Sequence, residues 1–249
     1  MPGAKKGPGR PKGSRNAKAG ARGRTADARS TRERILAVAT REFSARGYDG
    51  ARVEEIVRRS RVSKNLLYYY FGSKEKLFIQ SLERAYEAVQ SRQAAVSLDG
   101  LDPVESVRRL ISETFHHLAE VPEFIGLLNS ENLHKAVHLA KSEHLRGAYP
   151  PMALQLNELL ERGRETGDFR DDANAVDLYI AISAMAYHAL SNQYTLSVLF
   201  DRDFTSPDEV AWRIEHITEV VLGYLLHKPD ARSGRKAAQS RGGRLSKVD

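Results

Sequence analysis

Apolar positions recur along this chain at spacings of three and four, the period of a helix, and no stretch alternates as a half-buried strand would. Ile35, Leu36, Ala39 and Phe43 mark a helix from Arg29 to Arg46, with Gly47 as its stop and Tyr48-Asp49-Gly50 as a turn. Val53, Ile56 and Val57 predict a short helix over 52–59, and Leu67 and Phe71 a second over 63–70. Ser60 to Ser63 joins the two, with the Ser63 hydroxyl placed to cap the second. Leu77, Ser81, Leu82, Ala85 and Val89 then face one way along a rod from Lys74 to Val96.

Past a connection at Leu98 to Pro103, Val104, Val107, Leu110, Ile111, Thr114, Phe115 and Leu118 predict an amphipathic helix that ends before Val121-Pro122. Further helices are expected near 122–135, 137–147, 151–166, 172–200 and 207–227, with Gly167 to Asp172 as the loop into the longest. The pattern predicts an all-α protein: a three-helix domain containing a helix-turn-helix, followed by a larger helical domain.

The second helix of the pair changes the picture from fold to chemistry. Lys64, Asn65, Tyr68, Tyr69, Tyr70 and Lys74 bring cations, an amide and phenols to a short, polar, aromatic segment, and these groups contact phosphates and base edges in a major groove. Charge sharpens the reading. The net charge is +7, but residues 29–76 carry twelve Lys or Arg against six acids, whereas 77–227 carry twelve against twenty-three. Such asymmetry directs one end of the molecule toward a polyanion.

Residues 1–28 carry eight Lys or Arg and one Asp without an apolar face, and are expected to form a disordered basic arm. Residues 228–249 form a similar basic tail. Within the arm, Pro8-Gly9-Arg10-Pro11-Lys12 resembles the core of an AT-hook, in which Arg10 enters a narrow minor groove; Pro8 stands where that motif usually has a basic residue. The domains are therefore read as 1–28, 29–76, 77–227 and 228–249.

Composition excludes several classes. The chain has no cysteine, so disulfides, thiolate catalysis and cysteine metal sites are out. No run approaches the roughly 18 to 20 apolar residues of a membrane span, and MPGAKKGPGRPKGSR lacks the apolar core of a secretory signal, so no membrane partner and a cytoplasmic location are expected. No G-x-S-x-G, phosphate-cradling loop or dinucleotide fingerprint is present, so neither an enzyme nor a cofactor is expected. Glu131, His134 and His138 could share a helix face and bind zinc or nickel, which keeps a metal-responsive alternative open; a mainly architectural basic DNA-binding protein is another.

Residues 31–86 resemble the DNA-binding domain of the tetracycline-repressor (TetR) family of bacterial transcription regulators. The likeness rests on Thr31-Arg32-Glu33-Arg34-Ile35-Leu36, Phe43, Arg46-Gly47-Tyr48, Ile56, Val62-Ser63-Lys64, Leu67-Tyr68, Tyr70-Phe71 and Ser73-Lys74-Glu75-Lys76-Leu77. It implies that Lys64, Asn65 and Leu66 approach bases, that Tyr68, Tyr69, Tyr70 and Lys74 grip phosphates or adjacent bases, and that Leu67 and Phe71 are core. Three positions depart from the family's habit. Arg52 replaces a capping Thr, exchanging an amide acceptor for a phosphate-binding charge; Arg61 replaces a turn Gly; and Asn65 replaces another Gly, placing an amide where adenine could be read.

The resemblance also implies a homodimer, built through the last two long helices and reading a near-palindromic operator, and a small-molecule effector in the larger domain. Phe115, Leu128, Asn132, Tyr179, Tyr187 and His188 are candidate pocket residues, because apolar helix faces with occasional polar groups are what small-molecule pockets use. By family analogy the effector is a small aromatic or heterocyclic acid. It would release DNA by favouring a non-binding conformation, with the rod from Lys74 transmitting the movement.

Overall fold

In the computed structural model, residues 14–227 are described, with side chains from residue 27 onward; Arg10 and the 228–249 tail lie outside the described residues. The described chain folds into ten α-helices and a short 3-10 turn, without a strand. These are α1 Ser14–Gly50, α2 Val53–Ser60, α3 Lys64–Phe71, α4 Lys74–Ala94, α5 Pro103–Ala119, α6 Pro122–Leu133, α7 Pro151–Glu165, α8 Ala175–Ser191, α9 Gln193–Phe200 and α10 Pro207–Leu226, with the 3-10 turn at Leu139–Lys141.

Local chemistry accounts for most boundaries. Asp102, Asn174 and Ser206 accept backbone N–H groups at the starts of α5, α8 and α10, and proline opens α5, α6, α7 and α10, where its missing N–H costs nothing. Gly47 turns the chain left-handed at φ 67 and breaks α1 where the sequence placed a stop. Upstream, α1 begins at Ser14 rather than near Arg29, drawing Ala- and Arg-rich sequence expected in the arm into helix, in keeping with the high helix propensity of both residues.

Two expected helices differ. The segment 137–147 forms only a 3-10 turn and bends, because Lys135 and Ala136 adopt positive φ and Glu131 then accepts the N–H groups of His138 and Leu139 that a helix would have used internally. The single helix expected over 172–200 divides at Asn192 into α8 and α9.

Ile35, Ala39, Phe43, Ile56, Leu67, Leu77 and Phe78 are fully excluded from solvent in the N-terminal head, and Val107, Leu110, Leu127, Met152, Leu156 and Ile182 fill the body. They belong to one continuous core. The seam is carried by α4, which starts in the head and runs into the body, and by α6, a body helix packed along α1. Gly126 permits that approach: a Cβ on it would stand 2.5 Å from the Ser44 carbonyl oxygen and closer still to its hydroxyl.

Candidate functional site

At the tip of the head, Ser63 accepts the Leu66 N–H at 3.2 Å, so the cap expected at the start of α3 is present. Leu67 and Phe71 anchor α3 in the core, which leaves Lys64, Asn65 and Tyr69 exposed and Leu66, Tyr68 and Tyr70 half-buried. Tyr69 is 80% exposed and meets Tyr70 edge to face at 5.4 Å. An exposed phenol ring of this size on a short polar helix suits contact with a nucleic-acid backbone and bases.

The cations around it fall into two groups. Lys64 donates to Glu54 at 2.7 Å, and that bond raises the lysine pKa and lowers that of the carboxyl. Arg58 and Arg59 both hold Glu55, whose carboxyl is brought down to about 2, chiefly by the Arg58 hydrogen bond. These exposed pairs are weak and exchange readily for phosphate. Arg52 and Arg61, both exposed, make no side-chain hydrogen bond or ion pair to a described residue. Arg52 gives α2 no side-chain cap, and Arg61 occupies the left-handed turn at φ 53 and ψ 47. Two of the three departures are thus exposed cations without a hydrogen-bonded partner, Arg52 lying close enough to Glu54 to help lower its pKa, and the third, Asn65, is an exposed amide. Lys74 is half-buried, with its ammonium 5.0 Å from the centre of the Tyr48 ring and 3.4 Å from the Asp49 carbonyl oxygen.

Behind this face, α6 closes on the head. The Tyr48 N–H donates to Ser130 Oγ at 3.0 Å, and the Tyr48 ring lies 4.4 Å from that of His138. His138 and Glu131 form a buried pair at 2.8 Å, and Glu131 also accepts the N–H groups of His138 and Leu139, each at 2.8 Å. His134 turns one ring nitrogen to the Ser130 carbonyl at 2.7 Å and the other to Asp49 at 3.0 Å. Both contacts favour the doubly protonated ring, and its pKa is raised, the Ser130 carbonyl first and Asp49 next.

This arrangement corrects the metal alternative. Glu131, His134 and His138 do not converge on a common point; their donor atoms are engaged in cross-links of the seam, and no cluster of His, Asp and Glu suited to a metal exists among the described residues.

The opposite side of α6 faces a cavity of about 620 Å³. Tyr86, Val89, Gln90 and Gln93 from α4, Phe124, Leu128 and Asn132 from α6, and Tyr179, Ser183 and Tyr187 from α8 form most of its wall, with Leu139 and Leu145 from the irregular segment. This size is typical of a small-molecule site. Burial pushes the Tyr86 hydroxyl up to about 12, helped by Tyr179, Glu131 and Tyr187, and burial likewise raises that of Tyr179.

Leu128, Asn132, Tyr179 and Tyr187 therefore stand where the sequence placed them. Phe115 does not: it is 2% exposed in the core between helices. His188 lines a different cavity of about 760 Å³, with Met185, Phe200, Phe204, Trp212 and Arg213. It lies one position beyond Tyr187 on α8, about 100° further round the helix, which directs it away from the first cavity. Tyr86, Phe124 and Gln93 went unnoticed because the helical pattern marks inward faces without showing where the interior stays unfilled.

The family description "Bacterial regulatory proteins, tetR family" matches residues 35–80, and "Tetracyclin repressor-like, C-terminal domain" matches residues 103–221. The transcriptional repressor NicS of Pseudomonas putida is 35% identical over 205 residues, covering 82% of this chain and 96% of NicS. The chain belongs to the TetR family.

Among solved structures, the transcriptional regulator SCO4942 of Streptomyces coelicolor superposes with a TM-score of 0.59 at 26% identity, covering 78% of this chain and 98% of that one. The ketosteroid transcriptional regulator KstR2 of Mycobacterium tuberculosis shares the fold at 20% identity and a TM-score of 0.56, covering 79% and 95% of the two chains. As a TetR-family protein the chain is a helix-turn-helix DNA-binding transcription regulator, which sets aside the architectural alternative. No helix among the described residues is long and apolar enough to cross a membrane.

Proposed function

We propose that this TetR-family regulator is a homodimeric repressor released from its operator by a small molecule held in the cavity between α4, α6 and α8. One observation carries the reading: α6 presents Phe124, Leu128 and Asn132 to the cavity while its Gly126, Ser130 and Glu131 fasten the head through Ser44, Tyr48 and His138. A molecule that moves α6 or the adjoining α4 shifts both heads, and it weakens DNA binding to the extent that it prefers the shifted state; a 10⁴-fold preference would carry the population from about 1:99 to 99:1. The repressor sign follows the likeness to NicS.

Lys64, Asn65 and Leu66 read bases, while Arg52, Ser63, Tyr68, Tyr69, Tyr70 and Lys74 hold the backbone, with Arg10 of the N-terminal segment reaching the flanking minor groove. Dimerisation through α8 and α10 is supported by the apolar side chains they leave uncovered, Ile180, Trp212, Val220 and Tyr224, and it would set two reading heads about 34–36 Å apart for adjacent turns of DNA.

Titrating the full chain onto DNA from upstream of its own gene tests this. Binding should resist competition by random DNA, and Asn65→Ala should lose most of that preference. Equal affinity for random sequence overturns the reading.

A further inference from the structure

The wall of the cavity has an unusual balance of groups. It contains three phenols, amides from Gln90, Gln93 and Asn132 and the Ser183 hydroxyl, but no Lys, Arg, His, Asp or Glu. An anion moved into it would give up part of its hydration and meet no cation in the wall, which is unfavourable. Nor would the surroundings help. The nearest buried acid, Glu131, adds negative potential from behind α6, and the Tyr86 phenol feels it. A cation would find aromatic rings but no carboxylate in the wall.

Gln93 supplies the second observation. It is 94% buried, it lines the cavity, and its amide makes no hydrogen bond to a described residue. Buried amides are ordinarily paired, and a carboxamide has both a donor and an acceptor to satisfy. A bound group offering the complementary pair, a lactam, a carboxamide or an enol beside a carbonyl, satisfies both at once. A carboxylate could accept from the Gln93 N–H but would leave its carbonyl oxygen without a donor. Phe124 and the Tyr86, Tyr179 and Tyr187 rings meanwhile offer flat apolar surface to a ring system.

We infer that the effector is an uncharged, ring-containing molecule whose hydrogen-bond donor and acceptor pair with the Gln93 amide. This rests on the cavity being the effector site and departs from the aromatic acid expected from family analogy.

The test uses three probes of one shape on the full-length protein at neutral pH by titration calorimetry: 2-naphthamide, 2-naphthoate and (2-naphthylmethyl)trimethylammonium. The amide should bind saturably and at least tenfold more tightly than either ion. Gln93→Leu should remove most of the amide's advantage while leaving the helical circular dichroism intact. Ser183→Phe, which fills the cavity, should abolish binding. Equal or tighter binding of the naphthoate or the ammonium, lost in Ser183→Phe, overturns the charge assignment but leaves the cavity as the effector site. Amide binding undiminished in Ser183→Phe overturns the cavity reading itself. Binding of none of the three, or an amide advantage unchanged in Gln93→Leu, overturns the inference.

Discussion

The head's exposed cationic face, proposed to meet DNA, and the body's cavity, proposed to hold the effector, are opposite kinds of surface within one chain. The first is short in sequence, exposed and charged: Arg52 to Lys74 supplies all of its described groups. The second is assembled from helices more than ninety residues apart, is largely apolar and carries no formal charge in its wall. Phosphate recognition tolerates water and gains from long-range charge, so it can be written into a local motif. Selecting a small molecule requires a shaped, dry volume, and volume is a property of how distant elements stack. The two are joined because α4 and α6 belong to both, so the contrast in chemistry coexists with a single core.

That shared core can be broken most forcefully in the head. Phe43→Ala, at a fully buried ring packed edge to face on Phe78 at 5.0 Å, should cost about 3–5 kcal/mol. In denaturant titrations followed by circular dichroism, head and body should still unfold together; a separate early head transition would show that their contact is not cooperative. A smaller effect is expected at the seam. Gly126→Ala must push α6 from α1 and should cost about 1–3 kcal/mol, with DNA affinity altered although no DNA-facing residue changes. Unchanged stability and affinity would deny α6 its coupling role.

On the DNA face alone, Lys74→Ala should weaken operator and random DNA alike and reduce the salt dependence of binding by about one unit of slope. A selective loss on the operator would make Lys74 a base reader instead. The smallest expected effect concerns pH. Because the folded His134 pKa lies above its ordinary value, its link to Ser130 and Asp49 contributes fully below about pH 6.5 and is lost as pH rises through the elevated pKa. The melting temperature of wild type should therefore fall relative to His134→Gln across that window. Parallel profiles would remove His134 as a titrating tie.

Legibility followed the same division. Helix periodicity, the Ser63 cap, the Gly47 break and the core positions Leu67 and Phe71 depend on neighbours within one turn, and each is found as the residues imply. Tyr179 and Tyr187 were legible as inward aromatics on α8, but Phe115 has the same pattern and sits in solid packing, since periodicity cannot distinguish a filled interior from an open one. The irregular path through 134–150 was hidden for another reason. It depends on a buried carboxylate, Glu131, taking backbone donors seven and eight residues downstream, a tertiary choice that outweighs the local helical pattern. Tyr86, Gln93 and Phe124 reach the cavity only because that path leaves space beside them.

The turn at Arg61 sets stability and function against each other. An L-residue other than glycine held at φ 53 carries backbone strain of roughly 1–2 kcal/mol, so Arg61→Gly should make the free protein harder to denature. The same change removes an exposed cation from the head and should loosen its hold on DNA. Selection for thermal robustness alone would then drift toward glycine at this position and yield a sturdier, weaker regulator, a trade between endurance and grip localised in one side chain.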